Sequence, residues 1–134
     1  MKSVVFVIIL LFAGCSPKLG KNFYKSPEDI LFQHNVNFMP NGYNVGMMSA
    51  NYPGVLAIVG DDIIFDAAGS GSRPWMQRLE PFKIHKKSIN DVELSDIKAM
   101  KRQVITIKTN HNDYFFYMAD AVKIYTLIIE WYNQ

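Results

Sequence analysis

Apolar and polar positions change rhythm twice along this chain. An unbroken apolar run, Val4 to Ala13, opens it. Polar sequence follows (residues 16–25, SPKLGKNFYK), and from there apolar residues come in short runs and alternations to about residue 118. Residues 32–39 (FQHNVNFM) alternate loosely and predict a strand. Val55 to Val59 is a short apolar run bounded by glycines and predicts a buried strand, with Asp62 to Asp66 as its partner across a Gly60-Asp61 turn. In Phe82 to His85 the residues Phe82 and Ile84 face one way and Lys83 and His85 the other. Ile89, Val92 and Leu94 continue an extended stretch. Val104 to Thr109 and Tyr114 to Met118 predict a hairpin about Asn110-His111-Asn112-Asp113. Asn41-Gly42 and Asn51-Tyr52-Pro53-Gly54 read as turns, and residues 67–74 (AAGSGSRP) as a flexible loop.

After Asp120 the period becomes helical. Ile124, Leu127, Ile128 and Trp131 fall at i, i+3, i+4 and i+7, beside a second stripe of Val122, Tyr125, Ile129 and Tyr132. So little polar surface predicts a helix covered over most of its circumference. Ser26-Pro27-Glu28-Asp29 is a further helix-start signal, with Ser26 at the N-cap and Pro27 at the first position, opening about one turn. The expected fold is mainly β (α+β): a bent antiparallel sheet or partly closed barrel of about six to seven strands with one C-terminal helix. A small α+β sandwich with the helix on one face is the alternative.

The length, 134 residues, fits one domain, and a 49% hydrophobic content supports one core. The formal net charge of +2 argues against binding driven by nucleic-acid phosphates. A single cysteine excludes an internal disulfide and a cysteine-cluster zinc site. That cysteine is Cys15, and it stands at the end of the apolar run. Ten apolar residues reach about 15 Å as a helix, half the hydrocarbon core, so the run fits a signal peptide better than a membrane span.

Phe12-Ala13-Gly14-Cys15 resembles a lipobox, the cleavage site of bacterial lipoproteins, with Phe12 where Leu is commonest. The resemblance implies cleavage before Cys15 and a diacylglycerol with an added N-acyl chain, such as palmitate, on that residue. It divides the chain into a signal peptide (1–14), a lipidated tether (15–25) and a domain (26–134). Ser16 rather than Asp after the cysteine favours, by likeness to enterobacterial sorting, the outer membrane of the cell envelope. Lys18, Lys21 and Lys25 in the tether are placed to touch anionic headgroups or simply to stay solvated.

Residues 54–132 resemble a PH-like domain of the GRAM type. The likeness rests on Gly54-Val55-Leu56-Ala57-Ile58 with Asp62-Ile63-Ile64-Phe65, on Val92 to Ile97, on Ile105-Thr106-Ile107 with Tyr114-Phe115-Phe116, and on a closing helix with Trp131. It implies a sheet bent into two near-orthogonal halves with the helix over one open end. Residues 40–53 hold no Lys, Arg or His, so the basic phosphoinositide loop of many relatives is not expected.

Catalytic and metal-binding patterns are sparse. His34, His85 and His111 are far apart and form no H-x-H or H-x-x-x-H pair, so no metal and no cofactor are expected. Asp61-Asp62 and Asp66 could suggest paired carboxylates, but Asp61 and Asp62 bracket a hairpin turn and are explained by turn chemistry. Gly69 to Arg73 lacks both the P-loop pattern and a following helix, and Ser70 and Ser72 lack a nucleophile-elbow frame. Lys83, His85, Lys86 and Lys87, and Lys98, Lys101 and Arg102, read as solvated faces, with contact to an acidic partner or headgroup as the alternative. Trp75-Met76 and Met47-Met48 are the exposed-apolar candidates for partner contact. The expected function is a membrane-anchored, non-enzymatic scaffold or protein-binding module. The alternative is a small lipid or ligand carrier, or a hydrolase, with a pocket inside the sheet.

Overall fold

The structure, a computed structural model, describes residues 19–40, 51–67, 78–97 and 102–134. Seven strands form one antiparallel sheet: β1 (Ile30–Met39), β2 (Tyr52–Val59), β3 (Asp62–Ala67), β4 (Phe82–His85), β5 (Ile89–Ile97), β6 (Arg102–Thr109) and β7 (Asp113–Tyr117). Their order is β4-β3-β2-β1-β7-β6-β5, so β4 and β5 are the edges and the sheet is not closed. One α-helix, α1 (Ala121–Tyr132), ends the chain. The architecture is therefore mainly β with a single C-terminal helix, as the alternation and the late change of period imply.

The sheet is strongly bent. β4 and β7 are four strand positions apart, which is about 19 Å in a flat sheet. Yet Phe82 on β4 and Tyr114 on β7 have ring centroids 5.2 Å apart. Phe38 joins them, 5.0 Å from Phe82 and 5.3 Å from Phe116, and Phe65 packs at 5.4 Å from Phe38. This aromatic cluster draws the two halves together over the inner face.

α1 closes the gap elsewhere. Its buried stripe is Ala121, Ile124, Ile128 and Trp131. The Trp131 Nε1–H donates to the Gly60 carbonyl (2.8 Å) in the β2–β3 turn, and the Tyr132 hydroxyl donates to the Ile89 carbonyl (2.9 Å) at the start of β5. Adjacent residues of one helix thus fasten both halves of the sheet. Coverage is narrower than the sequence implies: Val122 is 55% exposed, and Tyr125, Leu127, Ile129 and Tyr132 are only half-buried. The helix packs on one side because only the sheet's inner face is available to it.

Three local features depart from the sequence reading. The Tyr52-Pro53-Gly54 segment is strand, not turn: these residues pair with Phe38, Asn37 and Val36. A Cβ at Gly54 would lie 2.4 Å from the Asp66 carbonyl oxygen and 2.9 Å from the Ala67 Cα, so glycine there permits close approach of β3. Gly54→Ala is expected to cost about 1–3 kcal/mol or more, since backbone rather than a flexible side chain is in the way. Urea unfolding of the variant measures it, and a cost near zero would contradict this packing.

The second feature is a register shift in β1 between Ile30 and Phe32. Ile30 joins an outer-face cluster with Leu19, Val55, Ala57 and Ile64, while Phe32 joins the inner core. The extra residue, Leu31, is left 51% exposed.

The third is the domain's beginning. The sequence assigns residues 16–25 to a solvated tether. Leu19 is instead buried, with 3% exposure, and the Gly20 N–H donates to Asp66 Oδ2 (3.0 Å). Among the described residues the packed body thus already includes Leu19, seven residues before Ser26. Two 3₁₀ turns, Lys21–Phe23 and Pro27–Asp29, lead into β1. In the second, Asp29 accepts the Ser26 N–H (2.9 Å), as the Ser-Pro-Glu-Asp start signal implies.

Candidate functional site

Cys15, Met47, Met48, Trp75 and Met76 lie outside the described residues, as do Lys98 and Lys101 and the Gly69–Arg73 stretch. The remaining candidates are dispersed. Among the described residues no three His, Cys, Asp or Glu side chains gather as metal ligands.

Several of the titratable residues singled out by sequence have structural work. His85 Nδ1 accepts the Lys87 N–H (3.1 Å) and so caps the 3₁₀ turn Lys86–Ser88. Asp66 holds Gly20. Asp61 stands 3.9 Å from the Lys86 ammonium, which lies 4.6 Å from the centre of the Trp131 ring. That ring and cation extend the helix closure outward. His111 is exposed in the β6–β7 turn, and Arg102 is exposed at the start of β6.

His34 is different. It shares the inner face of β1 with Phe32, Val36 and Phe38, and its ring stacks 6.3 Å from Phe32. Burial holds its pKa below the ordinary 6.5, Asp120 opposes that shift, and Lys123 adds to it. The unfolded chain then binds a proton at higher pH than the folded one. The stability from neutral His34 is complete above the ordinary value and is lost as pH falls through the lower, folded value. Urea midpoints at about pH 8 and about pH 5 should therefore differ more in the native chain than in His34→Leu. Equal differences would contradict the assignment.

Two surfaces remain. One is the free edge of β5. This nine-residue strand pairs only with β6 among the described strands. It carries Asp91, Glu93 and Asp96 and no basic residue. The Lys108 ammonium on β6 contacts Glu93 (3.0 Å), and this hydrogen bond leads the effects that raise its pKa. The pair is exposed and adds little stability.

The other surface is an open groove of about 620 Å³ on the outer side of β1. Phe23, Tyr24, Leu31 and Val59 give it apolar walls, and Asn22, Lys25, Glu28, Asp29 and Gly60 its rim. Sequence reasoning missed it. The signal was present in Ile30-Leu31-Phe32, three consecutive apolar residues that no single strand face can absorb.

No protein-family model matches the chain, and no curated protein matches it. Among solved structures it is similar to the C-terminal domain of an unknown protein from Leishmania infantum, with a TM-score of 0.58 and 18% identity over 78% of this chain and 84% of that one. At that identity the likeness is one of fold alone.

Proposed function

We propose that this chain is a lipid-anchored, non-enzymatic lipoprotein of the bacterial cell envelope, favouring the outer membrane, that presents a small PH-like β domain to a protein partner. The observation that carries the reading is the position of Cys15. It ends a ten-residue apolar run and stands four residues before Leu19, a buried side chain of the domain. Lipid at that cysteine attaches the whole body with no spanning helix, and two or more acyl chains suffice to hold it.

Packing supports a binding module over a carrier. The space a ligand would occupy between the sheet halves is taken by Phe38, Phe65, Phe82, Tyr114 and Phe116 at one place and by Ile128 and Trp131 at another. The strand order supports the PH-like resemblance. The β5 edge is suited to strand addition by an extended segment of a partner, with backbone hydrogen bonds giving affinity. Its three carboxylates favour a basic segment.

A photo-crosslinking residue at Ser95, exposed on β5, tests the partner surface in intact cells. A discrete adduct is expected at Ser95 and not at Val122 on the helix. Equal adducts at both positions, or none at Ser95, would contradict recognition by the edge.

A further inference from the structure

Attachment at Cys15 also constrains how the domain sits. Leu19 follows Cys15 by four residue steps, so the fixed point of the domain lies at most about 14 Å from the lipidated residue. Leu19 is not at an arbitrary place. It is buried in the outer-face cluster with Ile30, Val55, Ala57 and Ile64, and Gly20 is tied to Asp66 on β3. Phe23, Tyr24 and Val59, which wall the apolar groove, pack against this same cluster, so the groove adjoins the attachment side of the domain.

The groove has the right chemistry for an interface. Leu31, put outward by the β1 register shift, is 51% exposed beside the half-buried Phe23 and Tyr24. Of the nearby charges, Asp29 is engaged by the Lys25 and Ser26 N–H groups and Glu28 by the Ser26 hydroxyl. Lys21 and Lys25 are exposed, and the two lysines and two acids balance. Apolar contact, rather than attraction to anionic lipid, is then the main term.

We propose that the groove lined by Phe23, Tyr24, Leu31 and Val59 is the domain's membrane-facing surface, apposed to the bilayer interface that holds the Cys15 acyl chains. This rests on lipid attachment at Cys15. The short connection keeps the groove within covalent reach of the bilayer interface. Ser95, six residues along β5 from Ile89 and outside the groove's lining, is the reference position.

The test uses the full lipidated protein in phosphatidylcholine vesicles, with and without phosphatidylglycerol. Cys15 is the only cysteine, and the thioether to the diacylglyceryl group occupies its sulfur, so an introduced cysteine is the single free thiol. Leu31→Cys, Asn22→Cys and Ser95→Cys each receive an environment-sensitive fluorophore, and the vesicles carry a nitroxide lipid quencher. Labels at 31 and 22 should be quenched at least about threefold more than the label at 95, as for groups entering the headgroup boundary. Both lipid compositions should give the same ratio. Protein that floats with the vesicles but shows equal quenching at 31, 22 and 95 overturns the apposition alone. Protein that fails to float overturns the anchor and the apposition with it. Quenching at 31 that needs phosphatidylglycerol overturns the apolar basis of the contact.

Discussion

Trp131→Ala is expected to destabilise the domain by about 3–5 kcal/mol, a large share of the roughly 5–15 kcal/mol that holds a small domain folded. Three losses coincide. The indole is 5% exposed in the inner core, so its removal opens a large cavity. Its N–H is the partner of the Gly60 carbonyl, which the variant leaves without that donor. Its face also supports the Lys86 ammonium. Urea unfolding of the chain from Ser16 onward should show a lower midpoint with an unchanged slope. Trp131→Phe keeps most of the packing and should cost about 1–3 kcal/mol, mainly through the hydrogen bond. A cost for alanine below about 1 kcal/mol would mean that α1 does not close the sheet.

Cys15→Ser is expected to have the largest effect on location. Without the sulfur there is no site for the diacylglycerol, and on this reading cleavage before residue 15 also fails. The protein should lose all fatty-acid label and leave the carbonate-resistant membrane fraction, appearing as precursor or in soluble fractions. The apolar run that remains, Val4 to Ala13, reaches only about 15 Å and cannot replace the anchor. Retention of label in the variant would place the lipid elsewhere.

Much of the fold is legible in the sequence because most elements carry one clear period. Phe82 to His85 alternates over four residues and is a strand with Ile84 buried. Ile124, Ile128 and Trp131 repeat at helical spacing and form the helix's buried stripe. The misreadings share a cause: residue type was taken for environment. Pro53-Gly54 has the composition of a turn, but Pro53 is exposed in β2 and Gly54 is selected by contact with β3. Val122 and Ile129 are apolar, yet the sequence cannot show that the sheet reaches only one side of the helix. Leu19, Phe23 and Tyr24 were assigned to the tether because lysines surround them, although they pack against or beside the outer cluster.

The candidate chemistry was less legible. His85 and Asp66 are explained only by partners at the start of a 3₁₀ turn and at Gly20, the latter 46 residues away. The groove depends on a one-residue register shift that places Leu31 outward, which no alternation pattern specifies. The reading of Cys15 rests on a different kind of signal, one that is local and lies wholly in the preceding residues.

The most direct test of the account is the mass of the N-terminal fragment released by proteolysis from membrane-extracted protein. The account predicts a chain that begins at Cys15 and carries a diacylglycerol and an N-acyl group on that residue. An N-terminal fragment that retains Met1, or one that begins at or near Cys15 with the cysteine unmodified, would contradict it.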